Sequence, residues 1–201
     1  MRRVGVAVLS LGLVAAVVAV VGIERRWFHA PYPALGKRIA WWIEAPEPAY
    51  QFDVVVPGRL YRSAAPDPRF TDYVREHYGV KRIVSLTGAV AGHARAERLG
   101  IPVVVNDWSP RSLPPREQIE AVLALMEDDV PTLVHCASGS DRTGYALAIY
   151  RVRHDGWSLE RAVDEMRNYS HRPEKAPRLH AQLAALLEAG PDGAGAKRPR
   201  D

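Results

Sequence analysis

The chain has a single cysteine, Cys136, in 201 residues. That excludes a disulfide framework within the chain, and the default for a lone thiol is a small buried apolar residue. Aromatic residues are sparse at 8%, with three phenylalanines. No basic stripe interleaved with aromatics occurs, so a nucleic-acid footprint is not expected. The net charge is +4, and part of the excess sits at the ends, in Arg2, Arg3, Arg25, Arg26, Lys197, Arg198 and Arg200. No internal repeat is present.

Charge is missing altogether from Val4 to Ile23, a run of 20 residues. At about 1.5 Å per residue such a helix spans about 30 Å, the depth of a bilayer core. The run continues into Glu24-Arg25-Arg26 without a small-residue cleavage site. An uncleaved single-pass anchor is therefore expected over residues 1–26, with a cleaved signal peptide as the rival. The basic flanks are nearly balanced. The short basic N-terminus favours the cytoplasm, which puts the rest of the chain on the periplasmic or extracytoplasmic side. Residues 27–49, rich in proline and tryptophan, read as a juxtamembrane connector with a short helix at Gly36–Ile43. A folded domain is expected over 50–189 and a disordered tail over 190–201.

Within that domain, strands and helices alternate. Phe52–Val56 and Arg59–Arg62 flank the turn pair Pro57-Gly58. A helix is expected from Asp67 to His77, a strand at Lys81–Leu86, a helix at Ala89–Leu99 and a strand at Ile101–Val105. The spacing of Ile119, Val122, Leu123 and Met126 predicts a helix over Pro115–Met126. A buried strand, Thr132–Val134, follows, and then helices at Thr143–His154, Ser158–Asn168 and Pro177–Glu188. This alternation implies an α/β domain with a mostly parallel central sheet flanked by helices, its chemistry beyond the carboxyl ends of the strands.

Cys136 stands at one such end, in His135-Cys136-Ala137-Ser138-Gly139-Ser140-Asp141-Arg142-Thr143. Successive amides in a tight loop form a concave anion site, and the helix start adds partial positive charge. Phosphate binding is thereby assigned to Ala137, Ser138, Gly139, Ser140, Asp141 and Arg142. Gly139 permits the turn, and Arg142 can grip two phosphate oxygens. The same field favours a thiolate. Thr143 can hydrogen-bond the sulfur.

The segment resembles the H-C-x5-R-[ST] signature of the cysteine-dependent protein tyrosine and dual-specificity phosphatase superfamily. Leu60-Tyr61-Arg62-Ser63-Ala64-Ala65-Pro66 and Gly79-Val80-Lys81-Arg82-Ile83-Val84-Ser85-Leu86 resemble two further stretches of its small bacterial, plant and fungal members. The likeness covers about residues 50–170. It implies a protein tyrosine phosphatase-like fold and a phosphatase using Cys136 as nucleophile and Arg142 as phosphate ligand. The route runs through a phosphocysteine and calls for no metal or cofactor, because arginine and amides supply the charge. The resemblance places the general acid at Asp107, on the loop after a strand and 29 residues before Cys136. Asp141 competes, since loops ending D-R-T occur in lipid phosphatases of the myotubularin type, and Glu117 is a distant third. His135 is implied to order the loop. Arg62, Arg111 and Arg116 are candidates for the mouth, with plain surface exposure as the alternative for each. The expected substrate is a phosphotyrosine or dual-specificity phosphoprotein. The alternatives are a phosphoinositide or inositol phosphate, or a membrane-anchored module that binds phosphate without turnover.

Overall fold

A computed structural model describes residues 33–172 and 177–188. The chain divides into two compact units, 1–51 and 52–201. In the first, helix α1 (Pro33–Trp42) opens with a proline, whose missing N–H costs nothing at a helix start. A 3-10 helix follows at Glu47–Tyr50. Trp41 Nε1 donates to the Tyr50 hydroxyl at 3.3 Å, and Lys37 Nζ lies 4.1 Å from the Tyr50 ring centroid.

The expected transmembrane helix is not found among the described residues: no helix there is long and apolar enough to cross a membrane, and the run Val4–Ile23 lies outside those residues. At about 1.5 Å per residue, α1 with its ten residues reaches about half of a bilayer core, and it carries Lys37 and Arg38. The described residues thus give no support to the N-terminal membrane helix, the single-pass placement or the extracytoplasmic side. The tail over 190–201 also lies outside the described residues.

The second unit is built on one five-stranded sheet in the order β1-β2-β5-β3-β4. Strands β1 (Asp53–Val56) and β2 (Leu60–Ser63) form an antiparallel hairpin. Gly58 takes φ +72° in its turn, a region side chains disfavour, and Arg59 N–H closes the turn on Val56 O at 3.1 Å. Strands β3 (Arg82–Ser85), β4 (Val103–Val105) and β5 (Thr132–His135) run parallel to one another, and β5 also pairs in parallel with β2. β5 is thus central, and all four of its residues are buried, as a strand covered on both faces requires.

Helix α2 (Pro68–Tyr78) shows local sequence setting its ends. The Asp67 carboxylate accepts from Phe70 N–H at 2.9 Å, Pro68 begins the helix and Gly79 ends it at φ +65°. Helices α3 (Ala91–Arg98), α4 (Arg116–Glu127), α5 (Asp141–Arg153), α6 (Leu159–Arg167) and α7 (Pro177–Glu188) complete the unit. In α5 every residue from Thr143 to Tyr150 is buried. A Cβ on Gly144 would lie 3.1 Å from Met166 Cγ and Cε, so this glycine lets α5 and α6 approach closely. Leu60, Val84, Leu86, Val134, Leu147 and Ile149 share one apolar core beneath the site.

At the far end of the sheet, buried Arg82 holds the α4–β5 connection. Its guanidinium donates to both Asp128 oxygens, Thr132 Oγ1 and Leu125 O. Hydrogen bonding from Arg82 leads the causes that hold the Asp128 carboxyl below its ordinary value near 3.8. A depressed carboxyl contributes stability that is present above its unfolded pKa and is lost as pH falls through its folded pKa. Asp128→Asn should therefore lower Tm by roughly 2–4 °C at neutral pH. Thermal melts should show that deficit shrinking as pH drops below about 4, where both chains carry a neutral side chain.

Candidate active site

The loop from Cys136 to Ser140 joins the end of β5 to the first turn of α5. It is strapped from both sides by backbone. Leu86 N–H donates to His135 O at 2.7 Å and Ala65 N–H to Ala137 O at 3.2 Å. Cys136 is 1% exposed, and its Sγ accepts from Gly139 N–H at 3.2 Å. Ala137 and Ser138 are exposed at the loop's outer turn, whereas Gly139 and Ser140 are buried. Ser140 N–H donates to Ser138 Oγ at 3.4 Å.

Gly139 has two reasons to be glycine. Its φ is +74°, and a Cβ would lie 2.7 Å from Ala64 N and 2.9 Å from Ser63 O. Those are backbone atoms of the β2 end and cannot yield cheaply. Gly139→Ala should cost about 1–3 kcal/mol of stability, read in denaturant melts, with a loss of turnover because the loop must shift off Ser63–Ala64.

Arg142 is the second residue of α5. Its Nη1 donates to Leu86 O at 3.1 Å and Trp108 O at 3.3 Å, and lies 3.9 Å from Asp107 Oδ1. Among the described residues all of its hydrogen bonds and its ion pair run through Nη1, so Nε and Nη2 are open to an anion. Asp107 sits in the loop after β4, anchored by Asn106 N–H to Ser85 O at 2.7 Å and by buried Trp108. Its own carboxylate is 67% exposed at the mouth. The structure thus brings Cys136, Arg142 and Asp107 to one end of the sheet.

Asp141 is placed differently. Its Oδ1 lies 2.7 Å from Nδ1 of His171, a side chain only 1% exposed. His171 in turn meets Tyr145 edge-on at 5.3 Å. Burial, with the Asp141 charge as the lesser cause, pushes the Tyr145 hydroxyl up to about 12. Asp141 is thus tied into the body of the domain by His171. Glu117 is exposed in the first turn of α4.

Two expectations need amending. Thr143 Oγ1 is buried and has no hydrogen-bond partner among the described residues, so the expected bond to the sulfur is not formed. Arg62 is neither at the mouth nor exposed: it is 1% exposed, donates from Nη2 to Gly139 O at 2.5 Å, and stacks 3.3 Å from the Tyr169 ring centroid. Tyr169 hydroxyl donates to Asp53 Oδ2. A buried arginine thus reaches the loop from β2. Of the other two arginines, Arg111 is exposed and Arg116 lies 3.6 Å from Glu120. His93, which the sequence did not single out, is 6% exposed and places its Nε2 3.0 Å from His135 Nε2. His135 Nδ1 lies 3.1 Å from Cys136 O. Burial is the main cause that pushes the His135 imidazole down to about 4; the hydrogen bond to the Cys136 carbonyl opposes it, and lesser electrostatic effects of His93 and Arg142 add to the lowering.

A cysteine at the end of a central parallel strand, a loop of amides around it and an arginine at the following helix start define a phosphatase-type α/β domain of the protein tyrosine phosphatase class. Within that class, the chain belongs to the Swiss Army Knife dual-specificity phosphatase domain family (PTP-SAK), whose family model matches residues 49–187. It is 31% identical over 147 residues to the dual specificity protein phosphatase TpbA of Pseudomonas aeruginosa PAO1, covering 70% of this chain and 63% of that protein. The chain thus spans less than two thirds of the length of this relative. Among solved structures, TpbA in complex with pTyr superposes with a TM-score of 0.56 at 22% identity, over 71% of this chain and 96% of that one. The core catalytic domain of the PP-IP phosphatase Siw14 from S. cerevisiae, in complex with citrate, gives 0.59 at 24%, over 69% and 86%. Both show the shared fold.

Proposed function

We propose that the chain is a cysteine-dependent phosphatase that hydrolyses phosphotyrosine or dual-specificity phosphomonoesters through a phosphocysteine. The observation that carries this reading is the convergence on one strand end of Cys136 Sγ, held by the Gly139 amide at 3.2 Å, and Arg142, whose Nη1 is 3.9 Å from Asp107. The Cys136 thiolate attacks phosphorus, so that an S–P bond forms as the P–O bond to the leaving group breaks. Loop amides from Ala137 to Arg142, together with the Arg142 guanidinium, bear the charge on the equatorial oxygens. Asp107 gives its proton to the leaving oxygen. Water then attacks phosphorus, Asp107 takes the water's proton, the S–P bond breaks, and phosphate leaves with the thiolate restored.

The name of the TpbA relative supports a protein substrate. The loop itself adds a reason. Ala137, Ser138 and Ser140 offer no lysine to a polyanion, and Thr87-Gly88-Ala89-Val90, after β3, carries no charge either. Gly88 lies beside Asp107, its Cβ position 3.7 Å from Oδ2. The full chain assayed with phosphotyrosine peptides, phosphoserine peptides and inositol phosphates tests this. Phosphotyrosine peptides should give the highest kcat/KM. Inositol phosphates turned over faster would move the substrate to that class, and no phosphate release from any of the three would overturn the reading.

A further inference from the structure

Behind the loop lies a histidine pair outside the reacting set. His93 is the third residue of α3, and 42 residues separate it from His135. The start of α3 is fixed in place. Gly92 N–H donates to Pro66 O at 3.2 Å, and a Cβ on Gly92 would lie 2.6 Å from that oxygen. The two rings approach with Nε2 facing Nε2 at 3.0 Å. One proton must stand between them. A carbonyl oxygen cannot donate, so His135 Nδ1 carries the hydrogen that reaches Cys136 O. If His135 is neutral, its Nε2 is then a lone pair and the proton between the rings belongs to His93. At the other end, Val90 N–H donates to His93 Nδ1 at 3.4 Å, which requires a lone pair there. One assignment satisfies all three contacts: Val90 N–H to His93 Nδ1, His93 Nε2–H to His135 Nε2, and His135 Nδ1–H to Cys136 O.

We propose that His93 is a positioning residue that locks neutral His135 as its Nδ1–H tautomer and so holds the Cys136 carbonyl turned away from the phosphate, leaving the loop amides to face it. Both rings are kept neutral. Burial lowers His93 against the opposing charge of Glu97, one turn further along α3. His135 faces the charge of Arg142 from α5 and the Cys136 carbonyl from the loop. On the flanking strands its register partners are Ser63 and Ser85, which carry no charge.

Without the His93 donor, neutral His135 can move its single proton to Nε2. Its Nδ1 lone pair then opposes the Cys136 carbonyl and the loop loses its hold. Protonating His135 returns a hydrogen to Nδ1 and restores the bond. This gives a signature that a purely structural role lacks. For His93→Leu, kcat should fall about tenfold at neutral pH, a change of 1.4 kcal/mol, with KM within twofold of wild type. The ratio of wild-type to variant kcat/KM should close as pH falls through the His135 pKa. His93→Gln, whose amide N–H can reach the place of Nε2–H, should recover most of kcat.

The kinetic half rests on the proposed phosphatase activity. Nitrogen-15 NMR of the imidazoles in the wild-type resting protein does not, and it also decides the matter if His93→Leu fails to fold. Near neutral pH, His135 should be protonated at Nδ1 alone and His93 at Nε2 alone. A proton on His135 Nε2, or a cationic ring at either position, would overturn the proposal. So would a folded His93→Leu protein with the wild-type kcat and pH profile.

Discussion

Cys136→Ser should abolish turnover, with a loss of at least about 10⁴-fold in kcat, because a serine hydroxyl in this site has neither a thiolate's nucleophilicity nor a base to activate it. Binding should survive. The side chain is 1% exposed and similar in volume, the loop is held by Leu86 N–H, Ala65 N–H and Arg62, and the anion's partners are amides and Arg142. Titration of the variant with a phosphotyrosine peptide should give a Kd near the wild-type value for a non-hydrolysable analogue. Loss of both binding and turnover would mean that Cys136 shapes the loop instead of reacting.

Asp107→Ala should lower kcat by about 10²–10⁴ with alkyl or peptide leaving groups, and by far less with an aryl leaving group of low pKa that departs without a proton. Asp141→Ala should show no such dependence on the leaving group. Its carboxylate is held 2.7 Å from the buried His171 ring, whereas that of Asp107 stands open above Arg142. Its removal should appear chiefly as lost stability, since it strips the partner from a buried histidine. The plot of log kcat against leaving-group pKa separates the two carboxylates: the variant of the true acid has the steeper slope. A steep slope for Asp141→Ala with a wild-type slope for Asp107→Ala would exchange their roles.

Much of this site was legible because it is local. The nucleophile, the amides and the arginine lie within seven consecutive residues, and the short run Thr132-Leu133-Val134 before them reads as a buried strand. The sheet was legible for the same reason: short apolar runs spaced by helices leave few topologies open. What sequence did not disclose is what strand pairing brings together. Arg62 and Gly139 are 77 residues apart, and an arginine beside a turn reads as solvent-exposed until β2 is seen lying against β5. His93 and His135 likewise meet only after α3 is laid over the strand ends. Residues 101 and 102 read as strand by composition, but Ile101 N–H is taken by Ala96 O of α3, so β4 starts at Val103. The bond expected of Thr143 depended on side-chain direction within a buried helix turn, which spacing does not fix. The apolar run near the N-terminus shows the converse: length and hydropathy pointed to a membrane helix that no described helix supplies.

The most direct test of the phosphocysteine route is mass spectrometry of acid-quenched Asp107→Ala protein mixed with an aryl phosphate of low leaving-group pKa. That substrate leaves without help, while breakdown of the intermediate lacks its base, so the intermediate should accumulate. The expected result is a single phosphoryl group on the peptide containing Cys136, absent from Cys136→Ser. Aryl alcohol release with the phosphoryl group on another residue, or with none trapped at any quench time, would contradict the assignment of Cys136 as the nucleophile.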